Sequence, residues 1–251
     1  IRKNGERSVE SSGNFTYEKS APFIKNDSIF DIASITKTIP TATLALQLID
    51  RGQLSLDDQL IKFIPESKNS DRDQILIRHL LTYTLDFDFK LSDHKDKLPD
   101  QILKLIFNTE FKYPPGTKFY YANASAILLG LVVERAVGEQ LDKIASRQIF
   151  HPLKMNRTTF HPEQFSKDKI VPTEIDNWRG LVQGVVHDES AYTLQKKMVV
   201  SSAGLFSIAP DLLNFLEMML NRGKLRDQRF LSENLVDSLL KNHLPLSIEG
   251  S

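Results

Sequence analysis

Ser34 and Lys37 stand three residues apart in the stretch FDIASITKTIPTATLALQLIDRG. On a helix, residues at that spacing share a face, so the lysine amine can reach the serine hydroxyl. Free N–H groups and the dipole at a helix start favour developing negative charge. An apolar surround disfavours the lysine cation and makes the amine a better proton acceptor. That chemistry is acyl transfer through an activated serine. The spacing alone is weak, because Ser92/Lys95, Ser166/Lys169 and Ser238/Lys241 repeat it. The first two lie in highly charged stretches, KLSDHKDK and FSKDKI, and the third in an amphipathic C-terminal segment. Only Ser34 sits where a strand-like run, SIFDIA, meets a segment with no charge from Thr38 to Ile49. The plain structural alternative is a serine cap with a lysine that snorkels to solvent.

A second constellation is Tyr121-Ala122-Asn123, the one Y-x-N in the chain. A tyrosine beside a serine and a cation can pass protons between nucleophile and leaving group. An asparagine amide carries both a donor and an acceptor, suited to a substrate amide. The structural alternative is a tyrosine at the core edge and an asparagine capping a helix.

These residues need elements to hold them. The charge-free run after Lys37 reads as a buried helix, with Arg51-Gly52 as its stop and Pro40 kinking it or tightening its first turn. YPPGTKFYYAN reads as a breaker-rich loop leading into ASAILLGLVVERAVG, a second apolar helix stopped at Gly138. Further helices are read in RHLLTY, in PDQILKLIF and in PDLLNFLEMMLNRG. Strand character is confined to residues 6–18 and to KMVVSSAGLFSI, and the region from HPLKMNRTTF to WRGLVQGVVHDES reads as irregular. Asn4-Gly5 is a hairpin signal with only three residues before it, too short for a partner strand. A helical body with so little sheet is expected to be a piece of a longer protein, cut at both ends, with targeting information outside it.

Bulk composition excludes several classes. Lys+Arg and Asp+Glu each number 32, so no electrostatic footprint for nucleic acid is present. Hydrophobic residues make up 41% of 251, enough for a real core. There is no cysteine, which removes disulfides and thiolate metal sites. No apolar run is long enough to cross a bilayer as a helix.

With both motifs in view, the sequence resembles the serine β-lactamase and penicillin-binding DD-peptidase superfamily, nearest the class C β-lactamase-related hydrolases, which include esterases. FDIASITKT, LIDRGQLSLDDQL, ILIRHLLTYT, YPPGTKFYYAN, FHPLKMNRTTF, VPTEIDNWRGLVQGVVHDESA and SAGLFSIAPDLLNFLEMML fit in the family's order. The resemblance implies an α+β fold. An antiparallel sheet, incomplete in this chain, would pack on a central buried helix beside an all-helical region. Residues 1–32 would form the sheet edge and 33–220 the helical body of a single catalytic domain. Ser34 would be the acylated nucleophile, its backbone N–H one oxyanion donor, Lys37 its proton partner and Tyr121 the general base and later acid. Asn123 would hold the substrate amide and order the Lys37–Tyr121 pair, and Ser202 and Gly204 would line the cleft.

The implied reaction is hydrolysis of D-alanyl peptides, β-lactams or small esters through an acyl-enzyme. It uses no metal or cofactor and no partner beyond a small-molecule or peptide substrate. The implied setting is extracytoplasmic or membrane-associated. The rival reading is a non-catalytic binding or sensor module on the same fold.

Departures from the pattern bear on the rim of the site. Leu85-Asp86 stands where relatives carry a small Ser-Gly pair, which is expected to reshape the rim. The third family motif, a Lys or His followed by Thr and Gly, is expected beyond Ser251. His187-Asp188-Glu189 is too sparse for a metal site and reads as a hydrogen-bonded loop or cleft rim. Trp178, the one tryptophan, is a cleft wall or core. This chain by itself is expected to turn over substrate weakly or not at all, which an ester or β-lactam hydrolysis assay checks directly.

Overall fold

Pro40 shapes the element on which the fold turns. It lacks an N–H, and its ring collides with the carbonyl four residues back. The helix answers by widening into a π turn over Lys37–Ala42. The Thr43 N–H and hydroxyl both reach the Thr38 carbonyl, and the segment then continues as an ordinary helix, α1 (Thr43–Asp50). The proline therefore widens the first turns rather than ending the helix.

The computed structural model describes residues 2–3, 6–68, 70–244 and 248, with backbone alone for 2–3. After α1 come α2 (Ile77–Leu81), α3 (Pro99–Phe107), α4 (Asn123–Val137) and α5 (Leu141–Ala145). They are followed by α6 (Glu189–Leu194), α7 (Ala209–Leu220) and α8 (Glu233–Leu239). Gly138 closes α4 in the left-handed region at φ 77°, where a residue without Cβ carries no steric penalty. Helix α6 is a difference from the sequence reading, which leaves its start irregular. Asp188 makes it, by accepting the Ala191 N–H as an N-cap.

Sheet structure among the described residues is slight and antiparallel. Strands β1 (Arg2–Lys3) and β2 (Glu6–Arg7) pair, although three residues had seemed too few for a partner. The Asn4-Gly5 turn expected between them lies outside the described residues. The strand expected over 6–18 is otherwise only a bridge from Asn14 to Phe23. Next come β3 (Phe30–Asp31), β4 (Glu174–Asp176), β5 (Gly180–Val182), β6 (Phe206–Ser207), β7 (Lys224–Leu225) and β8 (Gln228–Arg229). β3 pairs with β6, aligning Phe30 with Ser207 and Asp31 with Phe206. β4 and β5 form a hairpin in the region read as irregular. These small ribbons beside many helices fit an α+β fold whose sheet is incomplete.

The core is built on α1 and α4. Ile39, Leu44, Ala45, Ile127, Val132 and Val133 are buried in one cluster with α2, α3 and α5. Each such Ile, Leu or Val side chain contributes roughly 1.5–3 kcal/mol on burial. A smaller cluster of Ile29, Ile170, Phe206 and Ile208 backs the β3–β6 pair. The segment 201–203 links the π turn to α4. Thr41 donates its hydroxyl to the Ser201 carbonyl at 2.7 Å, and Ser201 donates its own to the Ala126 carbonyl at 2.8 Å.

Gly130 makes that approach possible. A Cβ there would stand 2.2 Å from Ser201 Oγ and 2.3 Å from Ser201 Cβ. Gly130→Ala is therefore expected to destabilise the protein by about 1–3 kcal/mol despite alanine's better helix propensity. Urea unfolding of the two proteins measures it.

Candidate active site

Ser34 lies in the tight turn that joins β3 to the π turn. Ala33, just before it, holds φ at 45°, a conformation that costs a non-glycine residue about 1–2 kcal/mol. The Asp31 carboxylate secures it by accepting the Ala33 N–H at 2.8 Å. The Lys37 N–H donates to the Ser34 carbonyl at 3.0 Å, closing the turn. The Ser34 N–H donates to no group among the described residues.

Lys37 is 5% exposed. Its ammonium donates to Ser34 Oγ and to the Ser202 carbonyl, each at 2.8 Å. The same nitrogen stands 5.2 Å from the centroid of the Tyr121 ring. Burial holds the Lys37 pKa below the ordinary lysine value, while Tyr121 and the Asp188 charge pull it back up.

Tyr121 is delivered by the loop 111–121, which is strapped to the segment 83–86. Tyr120 N–H donates to the Tyr83 carbonyl and Gly116 N–H to the Thr84 carbonyl, both at 2.8 Å. Asp86 Oδ2 accepts the N–H groups of Lys112 and Tyr113 at 2.9 and 3.3 Å. The Tyr83 ring lies 5.1 Å from that of Tyr121, and burial pushes the Tyr83 hydroxyl pKa up. Tyr121 itself is 59% exposed. Leu85 and Asp86, expected to alter the rim, are both buried. Their influence runs through the backbone of the tyrosine loop instead.

Asn123 opens α4. Its Nδ2 donates to Asp188 Oδ2 at 2.9 Å, with Ser190 Oγ at 3.4 Å. The other Asp188 oxygen accepts the Ser190 hydroxyl at 2.6 Å and the Ala191 N–H at 2.8 Å. Asp31 reaches the same loop, its second oxygen accepting the His187 N–H at 2.7 Å. Burial raises the Asp31 pKa, against the lowering effect of the two N–H donors.

The structure thus brings Ser34, Lys37, Tyr121 and Asn123 into one locality. Ser202 meets it differently: the side chain is fully buried, and only its carbonyl reaches Lys37. Gly204, at φ 105°, packs under Val186, where a Cβ would meet Val186 Cγ2 at 3.2 Å. Trp178 is partly exposed at the tip of the β4–β5 hairpin, 5.2 Å from the Tyr192 ring. Arg179 lies against both rings and donates to the Val186 and His187 carbonyls at 3.2 and 2.7 Å. The sequence reading passed over Asp31 and Arg179. The signal for Asp31 is a lone carboxylate in the apolar run SIFDIA. For Arg179 it is a Trp-Arg-Gly turn.

A turn that presents a serine, a buried amine on its hydroxyl, and a tyrosine ring near the amine form an arrangement chemically capable of acyl transfer through the serine. The β-lactamase family model matches residues 1–240, and the chain belongs to that family. It is 30% identical over 236 residues to a putative D-alanyl-D-alanine carboxypeptidase of Escherichia coli K12, covering 83% of this chain and 54% of the relative. It is 27% identical over 242 residues to an N-acetylmuramyl-L-alanine amidase of Bacillus subtilis 168, covering 85% and 55%. The chain thus spans about half the length of these relatives. A penicillin-binding protein from Bacillus halodurans has the same fold, at TM-score 0.72 and 23% identity over 97% of this chain and 74% of that one. So does a β-lactamase/D-alanine carboxypeptidase from Pseudomonas syringae, at TM-score 0.73 and 23% identity over 93% and 62%.

Burying a lysine has a consequence for stability. Below its folded pKa the amine is charged in both states, and the desolvation cost is present in full. Above that value the native amine sheds its proton while the unfolded one keeps it, to about pH 10.4. Stability from this group therefore rises with pH across that interval. Lys37→Met is expected to be at least as stable as the parent at pH 7, with its advantage shrinking toward pH 10. Urea midpoints at the two pH values check this.

Proposed function

We propose that this chain carries the centre of a serine hydrolase that works through an acyl-enzyme. The observation that supports it most is the buried Lys37 amine on Ser34 Oγ at 2.8 Å. A surface lysine beside a capping serine would be solvated. This one is enclosed and has its pKa lowered.

In this reading Ser34 Oγ attacks the substrate carbonyl carbon. Its proton passes into the Lys37–Tyr121 pair, with Tyr121 as the base. The Oγ–C bond forms as the carbonyl π electrons move to oxygen, and the Ser34 N–H supports the resulting oxyanion. Tyr121 then gives a proton to the leaving nitrogen or oxygen, that bond breaks, and the acyl group remains on Ser34. Water, activated by the same pair, releases the acid and restores the serine.

The relatives named as a D-alanyl-D-alanine carboxypeptidase and as an amidase favour amide substrates of cell-wall type, with β-lactams and small esters as chemical alternatives. An extracytoplasmic setting accords with those names. No helix among the described residues is long and apolar enough to cross a membrane.

The full-length protein is expected to be labelled by a fluorophosphonate probe. Ser34→Ala should abolish the labelling, and Tyr121→Phe should slow it by about 10²–10⁴-fold. Labelling that persists in Ser34→Ala would remove Ser34 as the nucleophile.

A further inference from the structure

Ala33 precedes the nucleophile with φ at 45°, in the left-handed region that a residue with a Cβ rarely enters. Both peptide groups flanking it are tied. Its N–H goes to Asp31 Oδ1 at 2.8 Å, and its carbonyl accepts the Thr36 hydroxyl at 2.6 Å and the Thr36 N–H at 3.1 Å. The peptide that joins Ala33 to Ser34 is trans, so the Ser34 N–H points away from that carbonyl. The tie at the carbonyl therefore aims the Ser34 N–H, and the tie at the Ala33 N–H holds the φ that this aim requires. Asp31 is anchored at its other oxygen, which accepts the His187 N–H at 2.7 Å. The His187 carbonyl in turn accepts Arg179 Nη1 at 2.7 Å, from a side chain only 3% exposed that is also paired with Glu174 and Asp176. A carboxylate that turned away from Ala33 would give up this braced loop as well.

We propose that Asp31 is a positioning residue for acylation, holding Ala33 in its strained conformation so that the Ser34 N–H and hydroxyl are presented together to the reacting carbonyl. The inference rests on the hydrolase reading above and goes beyond it, to what keeps the nucleophile turn in working geometry. Asp31 touches no reacting atom in this account. It acts through the turn, where both of its oxygens must be acceptors. A side chain of the same size with one oxygen replaced by NH2 meets one of the two N–H groups with a donor. Without its tie Ala33 relaxes toward negative φ, the peptide between Ala33 and Ser34 turns, and its N–H no longer meets the oxyanion.

The measurement is the rate at which a fluorophosphonate probe labels Ser34 in the full-length protein, over a range of probe concentrations. Asp31→Asn is expected to lower the limiting rate by about 10- to 100-fold. The half-saturating concentration should change by less than about threefold, because the oxyanion contact strengthens only as the new bond forms. A role confined to fold stability would not produce that division. Glycine adopts positive φ without a steric penalty, so Ala33→Gly removes the need for the tie. In an Ala33→Gly background, Asp31→Asn should cost no more than about threefold. A second comparison does not depend on the asparagine variant. Asp31→Ser keeps a hydroxyl able to accept the N–H two residues on, and it should be labelled about tenfold faster than Asp31→Ala. Four results would overturn the positioning role and leave the hydrolase reading standing: Asp31→Asn labelled like the parent, a loss confined to the half-saturating concentration, a loss undiminished by Ala33→Gly, or equal rates for Asp31→Ser and Asp31→Ala. A parent protein that is not labelled at Ser34 would take down the hydrolase reading, and this inference with it.

Discussion

An ammonium group held out of water is the constraint around which the rest of this structure is arranged. Removing a lysine head group from solvent is costly unless its donors are met. Lys37 meets that requirement with Ser34 Oγ on its own turn and the Ser202 carbonyl, 165 residues away in the chain. Bringing them together needs the widened turn at Pro40, the bare backbone of Gly130 on α4 and the hydroxyl bonds of Thr41 and Ser201. Core packing and site geometry are the same set of contacts seen from two sides.

The loops around the amine are held by carboxylates that accept main-chain N–H groups and, at Asp188, the side-chain amide of Asn123. Asp31 ties the serine turn to His187, Asp86 ties the tyrosine loop to the segment after α2, and Asp188 ties α6 to Asn123. Hydrogen bonds to charged groups are worth about 1.5–3 kcal/mol each. A carboxylate can take two donors at once, so one residue can set the distance between two segments. This device gives precision to loops that have almost no sheet to define them. Asp86 is the strained member, for its second oxygen is buried without a partner among the described residues.

Ser34 and Lys37 were legible because the segment after them carries no charge, and Tyr121 and Asn123 because a breaker-rich loop meets an apolar helix there. Helices α1, α3, α4 and α7 were legible for the same reason: burial leaves a pattern along the chain. The carboxylate ties were not, because a loop aspartate leaves the same local sequence whether it faces solvent or an N–H from a distant segment. Strands were the weakest reading. Residues 6–18 have strand-like composition, but strand pairing depends on a neighbour that local sequence does not name. The Leu85-Asp86 pair, expected to reshape the rim, is buried, and Asp86 finds donors in Lys112 and Tyr113, more than twenty residues away. Ser202, expected to line the cleft, reaches the amine through its carbonyl.

That carbonyl has an implication for how the site tolerates genetic change. The acceptor is main chain, so no codon change at position 202 deletes it. Substitutions there act only through the room they take up. The fragility lies one layer back, at Gly130 and Ser201, which hold the strand of chain at the right height. At position 202 drift is therefore limited by side-chain volume, since that side chain is fully buried, whereas Gly130 and Ser201 are restricted although neither touches Ser34 or Lys37. A survey scoring positions by distance from Ser34 alone would underrate Gly130 and Ser201.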